Sequence, residues 1–285
     1  MPRLLCFGYG YSARALAQLL EPQGWTVIGT SREPNEPGLL RFDRDLRLLS
    51  EDLDGVTHIL SSVPPDDRSD PVLDQMWPRF VTLKPSLKWI GYLSSTGVYG
   101  DHNGAWVDEG TRPAPTSDRA RRRSTAEASW LVLGQEQKLP VHVFRLSGIY
   151  GPGRSAIDDV HAGTARRIVK PGHLFGRVHV DDIATTLMAS IDKPNPGAIY
   201  NVTDDEPAAP ADVVKYACDL LRVKVPPEIP FEQAEMSEMS ASFWTDRRRV
   251  SNARIKRELG VKLAYPTYRE GLQAILESQL VKREA

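Results

Sequence analysis

LLCFGYGYSARALAQLLEPQGWTVIGTSR, residues 4–32, is the stretch that decides the fold. A short apolar run leads into a glycine-rich turn, apolar residues then recur at helical spacing, and a second apolar run closes the stretch. This order predicts a strand, a helix and a second parallel strand, joined at the turn by the pattern Gly-x-Gly-x-x-Ala. Such a βαβ unit opens many doubly wound α/β sheets, so the sequence predicts a Rossmann-type fold.

The glycine turn also predicts a ligand. Gly8 permits the tight turn, Gly10 lets the backbone approach a pyrophosphate, and Ala13 allows close packing of the helix on the strand. The phosphates would rest on the free N–H groups at the start of the helix. The alternative is a structural turn in which the glycines occur by chance. We expect a dinucleotide to contact Gly8, Tyr9, Gly10, Tyr11, Ser12 and Ala13.

The end of the second predicted strand indicates which dinucleotide is bound. A site for NAD usually carries Asp or Glu there, which holds the ribose 2′-hydroxyl group. Here the strand ends in Ser31-Arg32, without a carboxylate. Arg32 can pair with a 2′-phosphate through charge-assisted hydrogen bonds, and Ser31 can donate another. We therefore predict NADP; the alternative is that Arg32 is a solvated surface residue.

Composition narrows the class of protein. The chain of 285 residues has 36 Lys and Arg against 37 Asp and Glu, a net charge of −1. This balance argues against a nucleic-acid or anionic-membrane partner. No stretch approaches the roughly twenty apolar residues of a membrane span, and six scattered histidines lack metal-ligand spacing. We expect a cytoplasmic protein without a metal site, acting on a small molecule and able to form a homodimer.

Later apolar runs end in residues suited to the cofactor edge of the sheet. Asp43 ends a third predicted strand, where it could contact an adenine amino group or only cap the following turn. A fourth strand ends at Ser62-Val63, and a fifth runs into Ser94. Because the cofactor crosses the carboxyl ends of the strands in this fold, we expect Ser62, Val63 and Ser94 to border it.

Other segments carry structural predictions. Three prolines within residues 70–88 predict a broken helix, whereas residues 117–133 predict a continuous one. An aspartate of the pair Asp181-Asp182 is the predicted N-cap of a helix that ends near residue 190. The basic runs 121–123 and 247–249 are short, and we expect them to be solvated helix faces.

Together these motifs resemble the extended short-chain dehydrogenase/reductase family, which includes NAD(P)-dependent nucleotide-sugar epimerases and dehydratases. The resemblance covers nearly the whole chain. It implies a dinucleotide-binding domain of residues 1–147, to which 176–203 return, and a smaller C-terminal substrate lobe of residues 148–175 and 204–285. The stretches that carry it are residues 8–13, 94–100, 145–151, 179–184, 200–202 and 251–260.

One departure makes the chain an atypical member of that family. The family's proton donor is a tyrosine, with a lysine four residues later on the same helix face. Counted from Glu127, these positions hold Arg119 and Arg123, and no tyrosine lies between residues 100 and 146. Arginine stays protonated and is a poor acid or base. Arg123 would hold the nicotinamide ribose and Arg119 would face a phosphate or carboxylate of the substrate; alternatively, both are solvated.

The resemblance also implies residues for catalysis and substrate binding. Ser95 fits the family's catalytic serine, and Tyr99 is a candidate proton donor that in this motif often packs structurally. Gly148 stands where the family has a substrate-contacting asparagine, and Tyr150 and His179 are expected beside it. Two functions stay open. One is an NADP-binding oxidoreductase or epimerase acting on a nucleotide-sugar-like or other small polar substrate. The other is a catalytically silent NADP-binding sensor or regulatory module.

Overall fold

A parallel sheet of seven strands organises the chain in a computed structural model that describes residues 1–46, 48–237, 240–241 and 243–284. The strands are β1 Arg3–Phe7, β2 Thr26–Ser31, β3 Leu40–Arg41, β4 His58–Ser61, β5 Trp89–Ser95, β6 Trp106–Val107, β7 Val141–Leu146, β8 Gly148–Tyr150, β9 Arg167–Val169, β10 Arg177–His179, β11 Ile199–Val202, β12 Glu228–Pro230 and β13 Arg249–Val250. The helices are α1 Tyr11–Leu20, α2 Pro71–Leu83, α3 Asp118–Gln137, α4 Ala156–His161, α5 Val180–Asp192, α6 Pro210–Leu221 and α7 Tyr268–Glu284.

The main sheet has the order β11-β7-β5-β4-β1-β2-β3, and every neighbouring pair is parallel. From β1 the chain first adds β2 and β3 on one side of the sheet. It then adds β4, β5, β7 and β11 on the other side, which is the doubly wound arrangement. The predicted β1-α1-β2 unit is present, with Leu5 of β1 in register with Ile28 of β2. The predicted fold class is confirmed.

Helices cover both faces of this sheet. Because side chains alternate along each strand, successive residues of one strand pack against helices on opposite faces. In β1, Leu4 and Cys6 pack into a cluster with α1 and α5, whereas Leu5 and Phe7 join a second cluster with α2 and α3. All four side chains are fully buried. A sheet with both faces covered accounts for the continuous apolar run at the start of the chain.

The later part of the chain forms a smaller hydrophobic cluster of its own. Ile157 of α4, Ala217 of α6 and Leu272 of α7 are buried in it. Three short parallel pairs lie outside the main sheet: β8 with β10, β9 with β12 and β6 with β13. The last pair brings residues 249–250 back to the loop that follows β5. The proposed division into a domain of residues 1–147 and a substrate lobe stays a prediction.

Helix α2 corrects one expectation, because residues 71–83 are helical throughout. Asp70 accepts the N–H groups of Val72 and Leu73, and Pro71 occupies the first helical position, where proline costs nothing. Pro78 lies inside the helix, which tertiary packing holds together through buried residues such as Phe80. Across the described part of the chain, no helix has the length and apolar character that crossing a membrane requires.

Candidate functional site

A cavity of about 640 Å³ opens at the carboxyl edge of the main sheet. Its walls include residues that follow β1, β4, β5 and β7, together with residues of the later part of the chain. The predicted site residues that line it are Gly10, Tyr11, Ser12, Ser62, Ser94, Ser95, Arg119, Arg123, Gly148 and Tyr150. Segments far apart in sequence thus meet where a doubly wound fold binds its ligand.

The two glycines of the turn are required for different reasons. Gly8 has φ +82°, and a Cβ atom there would lie 2.7 Å from the Ser62 Oγ, so the fold itself demands glycine. A Cβ atom on Gly10 would meet no atom within 4 Å. Gly10 is the N-cap of α1 and has no side chain that could accept from the free N–H groups of the first turn. That turn also contains no acidic residue. The turn therefore leaves the N–H groups of α1 open to an anion, as a dinucleotide pyrophosphate requires.

The other residues of the turn fall into two groups. Tyr11 and Ser12 line the cavity, and the Tyr11 hydroxyl group donates to the Pro152 carbonyl oxygen at 2.9 Å. Burial raises the pKa of Tyr11 to about 12. Tyr9 and Ala13 do not line the cavity. The Tyr9 ring lies under the Arg14 guanidinium group, and Ala13 is fully buried, as close packing of α1 on the sheet requires.

The residues predicted to select NADP lie outside the cavity, at the exposed end of β2 and β3. Arg32 is exposed and forms no ion pair with any residue that the structure describes, so it is available to an incoming phosphate. The Ser31 hydroxyl group donates to the Glu33 carbonyl oxygen at 3.0 Å. Asp43 accepts the N–H groups of Asp45 and Leu46 at 2.9 and 2.8 Å, which is the turn-capping alternative.

Serine hydroxyl groups border the cavity at the ends of two strands. The Ser62 hydroxyl group donates to the Gly8 carbonyl oxygen at 2.6 Å, and Val63 packs beside Gly8. The Ser94 hydroxyl group donates to Glu127 at 2.7 Å. Ser95 faces the cavity and accepts the Gly97 N–H at 3.1 Å, which caps the short 3-10 turn after β5.

Beneath this edge lies a buried ion pair. The Arg145 Nη2 and Glu127 Oε1 atoms are 2.5 Å apart, and their side chains are only 2% and 4% exposed. Burial opposes the charge of Arg145, but the hydrogen bond and charge of Glu127 raise its pKa overall. Because Glu127 also accepts from Ser94, this pair supports the strand end that borders the cavity.

Tyr99 is a core residue, which corrects its proposed catalytic role. Its side chain is fully buried and does not line the cavity. Its hydroxyl group donates to Asn201 at 2.8 Å, and the Arg145 guanidinium group lies 4.7 Å from the ring centroid. Burial raises its pKa. A proton donor must reach the substrate, and this hydroxyl group is committed elsewhere.

Arg119 and Arg123 both line the cavity, where Arg119 is exposed and Arg123 is half-buried, and their roles in binding stay predictions. They lie one turn apart on the same face of α3. The Arg123 Nη1 atom donates to the Tyr92 hydroxyl group at 3.1 Å and to the Leu93 carbonyl oxygen at 3.0 Å, next to the end of β5. The Arg119 guanidinium group lies 5.4 Å from the Phe243 ring centroid. Partial desolvation, together with the nearby positive charge of Arg123, lowers the pKa of Arg119.

Of the three remaining substrate candidates, His179 is wrongly assigned. Gly148 and Tyr150 line the cavity, but His179 does not. His179 is 2% exposed, and its Nδ1 atom accepts the Asp181 N–H at 3.2 Å, so this histidine caps α5. Burial lowers its pKa, in keeping with a neutral acceptor. The predicted aspartate cap is therefore wrong as well, and Asp182 instead accepts two backbone N–H groups near residue 264.

The structure adds charged and aromatic residues that sequence reasoning missed. Arg177 lies beside Gly148 on the paired strand β10, and Arg248 belongs to a basic run that was expected to be solvated. Arg154 lies in the glycine-rich segment that follows β8 and Tyr150. Its place in that segment was the one feature of the sequence that pointed to this arginine. Within the described residues, no group of three or more His, Cys, Asp or Glu side chains could hold a metal ion. The newly found charged and aromatic lining residues are Arg154, Phe175, Arg177, Phe243, Asp246 and Arg248.

Comparisons with known proteins agree with this fold. No protein-family model matches the chain. Protein YeeZ from Escherichia coli strain K12 is 31% identical over 240 residues, which cover 76% of this chain and 82% of YeeZ. A solved structure of a functionally unknown conserved protein from Silicibacter pomeroyi DSS is 47% identical, with a TM-score of 0.90 and coverage of 98% and 99% of the two chains.

A more distant solved structure shares the fold alone. The human epimerase family protein SDR39U1 (isoform 2), determined with NADPH, is 19% identical, with a TM-score of 0.74 over 96% of this chain and 99% of that one. The glycine turn and the sheet order fit the same doubly wound architecture. The chain belongs to the extended short-chain dehydrogenase/reductase family.

Proposed function

We propose that this protein is an NADP-dependent oxidoreductase that acts on a small polar substrate. The observation that carries the proposal is that one cavity joins the open N-terminus of α1 to the serines at the end of β5 and to arginines of the later chain. A cofactor laid along this edge would place its pyrophosphate at Gly10 and its nicotinamide near Ser94 and Ser95. When bound, the nicotinamide supplies or accepts the hydride.

The proposed preference for NADP rests on Arg32. It is exposed at the end of β2 and forms no ion pair with a described residue. A guanidinium group there suits the 2′-phosphate group. The NADPH held by SDR39U1 shows that the same fold accepts this dinucleotide. Arg123, anchored at the end of β5, would donate to the nicotinamide ribose.

Reduction of a substrate fits this cavity better than epimerisation or dehydration. Those two reactions need a group that takes a proton from a sugar carbon or hydroxyl group and returns it. The tyrosines that line the cavity are Tyr11 and Tyr150, and burial raises the pKa of both. In a simple reduction the hydride adds to one atom of the acceptor and water supplies the proton. Arginine can polarise such an acceptor without exchanging a proton.

Binding and turnover of NADPH test the proposal. Titration calorimetry should show that NADPH binds, and its absorbance should fall when 2-oxo acids, aldehydes or sugar nucleotides are added. Arg123→Ala should weaken NADPH binding about tenfold or more, since a charge-assisted hydrogen bond is lost. Arg122→Ala is the matched control, because Arg122 is exposed on the same helix and does not line the cavity.

The possible results separate the two functions. Binding of NADPH without turnover of any acceptor would favour the silent sensor, whereas absence of NADPH binding would overturn both. A homodimer and a cytoplasmic location stay predictions.

A further inference from the structure

The cavity wall carries excess positive charge. Asp246 is the one acidic side chain among the described residues of the cavity wall. The arginines on the same wall are Arg119, Arg123, Arg154, Arg177 and Arg248. Such an imbalance in a partly desolvated cleft attracts an anionic ligand.

Four of the lining residues form a group that we call the rim cluster: Arg119, Phe243, Asp246 and Arg248. Phe243 is 51% exposed, although it lies on the wall of a cavity. The Arg119 guanidinium group lies 5.4 Å from its ring centroid. An exposed phenylalanine under a cation offers a flat apolar surface next to a positive charge.

The acidic member of the rim cluster is already paired. Asp246 accepts from the Arg248 Nη1 atom at 3.0 Å and from the Thr116 hydroxyl group at 2.7 Å. Arg248 also donates to the Gly100 carbonyl oxygen at 2.8 Å, so its guanidinium group is held in place. Arg119, in contrast, forms no ion pair within the described chain. With two arginines and one aspartate, the rim cluster has a net charge of +1.

We propose that the rim cluster binds a planar organic carboxylate, which deepens the proposed function by naming the substrate class. The flat body of the ligand lies on the Phe243 ring, and the carboxylate accepts from Arg119, with Arg248 beside it. The inference rests on the proposed oxidoreductase for its chemistry, but the binding site rests on the rim cluster alone.

Charge and shape select this class. Within the rim cluster Asp246 already pairs with Arg248, so a single carboxylate on Arg119 completes the pairing, whereas a diphosphate would bring further negative charge toward Asp246. The guanidinium fork of Arg119 matches the two oxygens of a carboxylate. Pairing would also favour the charge of Arg119, whose pKa is lowered by desolvation and by Arg123. A planar ligand uses the exposed Phe243 ring, which an aliphatic one contacts less well.

Four probes isolate these features in the full chain saturated with NADPH. Benzoate has the plane and one charge, benzamide the plane alone, cyclohexanecarboxylate the charge alone, and phenyl phosphate a plane with a larger charge. Ligand-observed NMR titration gives their affinities. We expect the affinity for benzoate to exceed that for benzamide by a factor of about ten or more. It should exceed the affinity for cyclohexanecarboxylate about two- to tenfold.

Variants assign the effect to residues. Arg119→Ala should lower benzoate affinity about tenfold or more and leave benzamide binding and NADPH affinity unchanged. Arg119→Gln tests the same point with a side chain closer in size. Phe243→Leu should remove the preference for benzoate over cyclohexanecarboxylate. Arg122→Ala on the same helix should change none of these values.

The inference is overturned if benzoate binds no better than benzamide, if phenyl phosphate binds more tightly than benzoate, or if both Arg119 variants bind benzoate like the wild type. Each of these results leaves NADPH affinity as a separate measurement. Failure of the rim cluster with normal NADPH binding therefore refutes the substrate class only. Benzoate binding to a chain that does not bind NADPH would refute the oxidoreductase and keep the carboxylate site.

Discussion

Replacing Glu127 by glutamine should destabilise the protein strongly, because it removes one charge of a buried pair. The two side chains are 4% and 2% exposed, and the Arg145 guanidinium group has no other carboxylate partner within the described chain. One of its nitrogens, Nη1, is already buried without a hydrogen-bond partner. Loss of the Glu127 charge leaves Arg145 as an uncompensated cation in the core, a change that costs about 3–5 kcal/mol.

Thermal and urea unfolding measure this loss. At roughly 2–4 °C per kcal/mol for a domain of this size, the midpoint should fall by about 6–20 °C. Asp118→Asn is the matched control on the same helix, since Asp118 forms an exposed pair with Arg121 and should leave the unfolding curve nearly unchanged. The double variant Glu127→Met/Arg145→Met should recover much of the loss, because it removes both buried charges together.

A Glu127→Gln variant within about 1 kcal/mol of the wild type would refute this reasoning. It would mean that the buried arginine does not depend on its carboxylate partner. An unfolding midpoint that falls equally for Asp118→Asn would refute it in a different way, by showing that α3 responds to any loss of charge.

Three further predictions concern the cofactor site and the response to pH. Gly10→Val should abolish NADPH binding while circular dichroism shows an intact fold. The added side chain enters the open space at the α1 N-terminus where the pyrophosphate is expected. An unchanged NADPH affinity would show that the pyrophosphate does not bind there. Arg32→Ala should erase most of a preference for NADP over NAD of about tenfold or more, and equal affinities in the wild type would contradict the 2′-phosphate assignment. Burial raises the pKa of Asp204 from 3.8 to about 8, so the folded state holds an extra proton between these values and stability falls as the pH rises through that window. Asp204→Asn should flatten the fall in unfolding midpoint between pH 5 and pH 8.5, and an unchanged slope would assign the effect to another group.

Much of the fold could be predicted because its signals are local. The β1-α1-β2 unit follows from apolar spacing on either side of one glycine turn, and residues 141–146 and 199–202 form strands where the apolar runs lie. The proline-rich segment shows the limit of such reasoning. Its helix α2 is held by buried contacts with the rest of the core, and packing of this kind overrides local propensity.

The candidate site was predictable on its cofactor side and much less so on its substrate side. Gly10, Ser62 and Ser94 each end or follow a strand, so the rule that ligands bind at the carboxyl edge was sufficient to find them. His179 occurs in a family motif, but only its burial and its hydrogen bond from Asp181 show that it caps a helix. Tyr99 likewise carries a suitable hydroxyl group that burial takes away from the cavity.

The sequence by itself determined the class of fold, the glycine turn and the replacement of the expected tyrosine and lysine by Arg119 and Arg123. Tertiary structure alone decided that those arginines face a cavity, and that Phe243 and Arg248 meet them there. The pairing of β13 with β6 joins segments more than 140 residues apart in sequence. Spacing and propensity act over a few residues, whereas the charge balance of a cavity depends on which distant segments pack against each other.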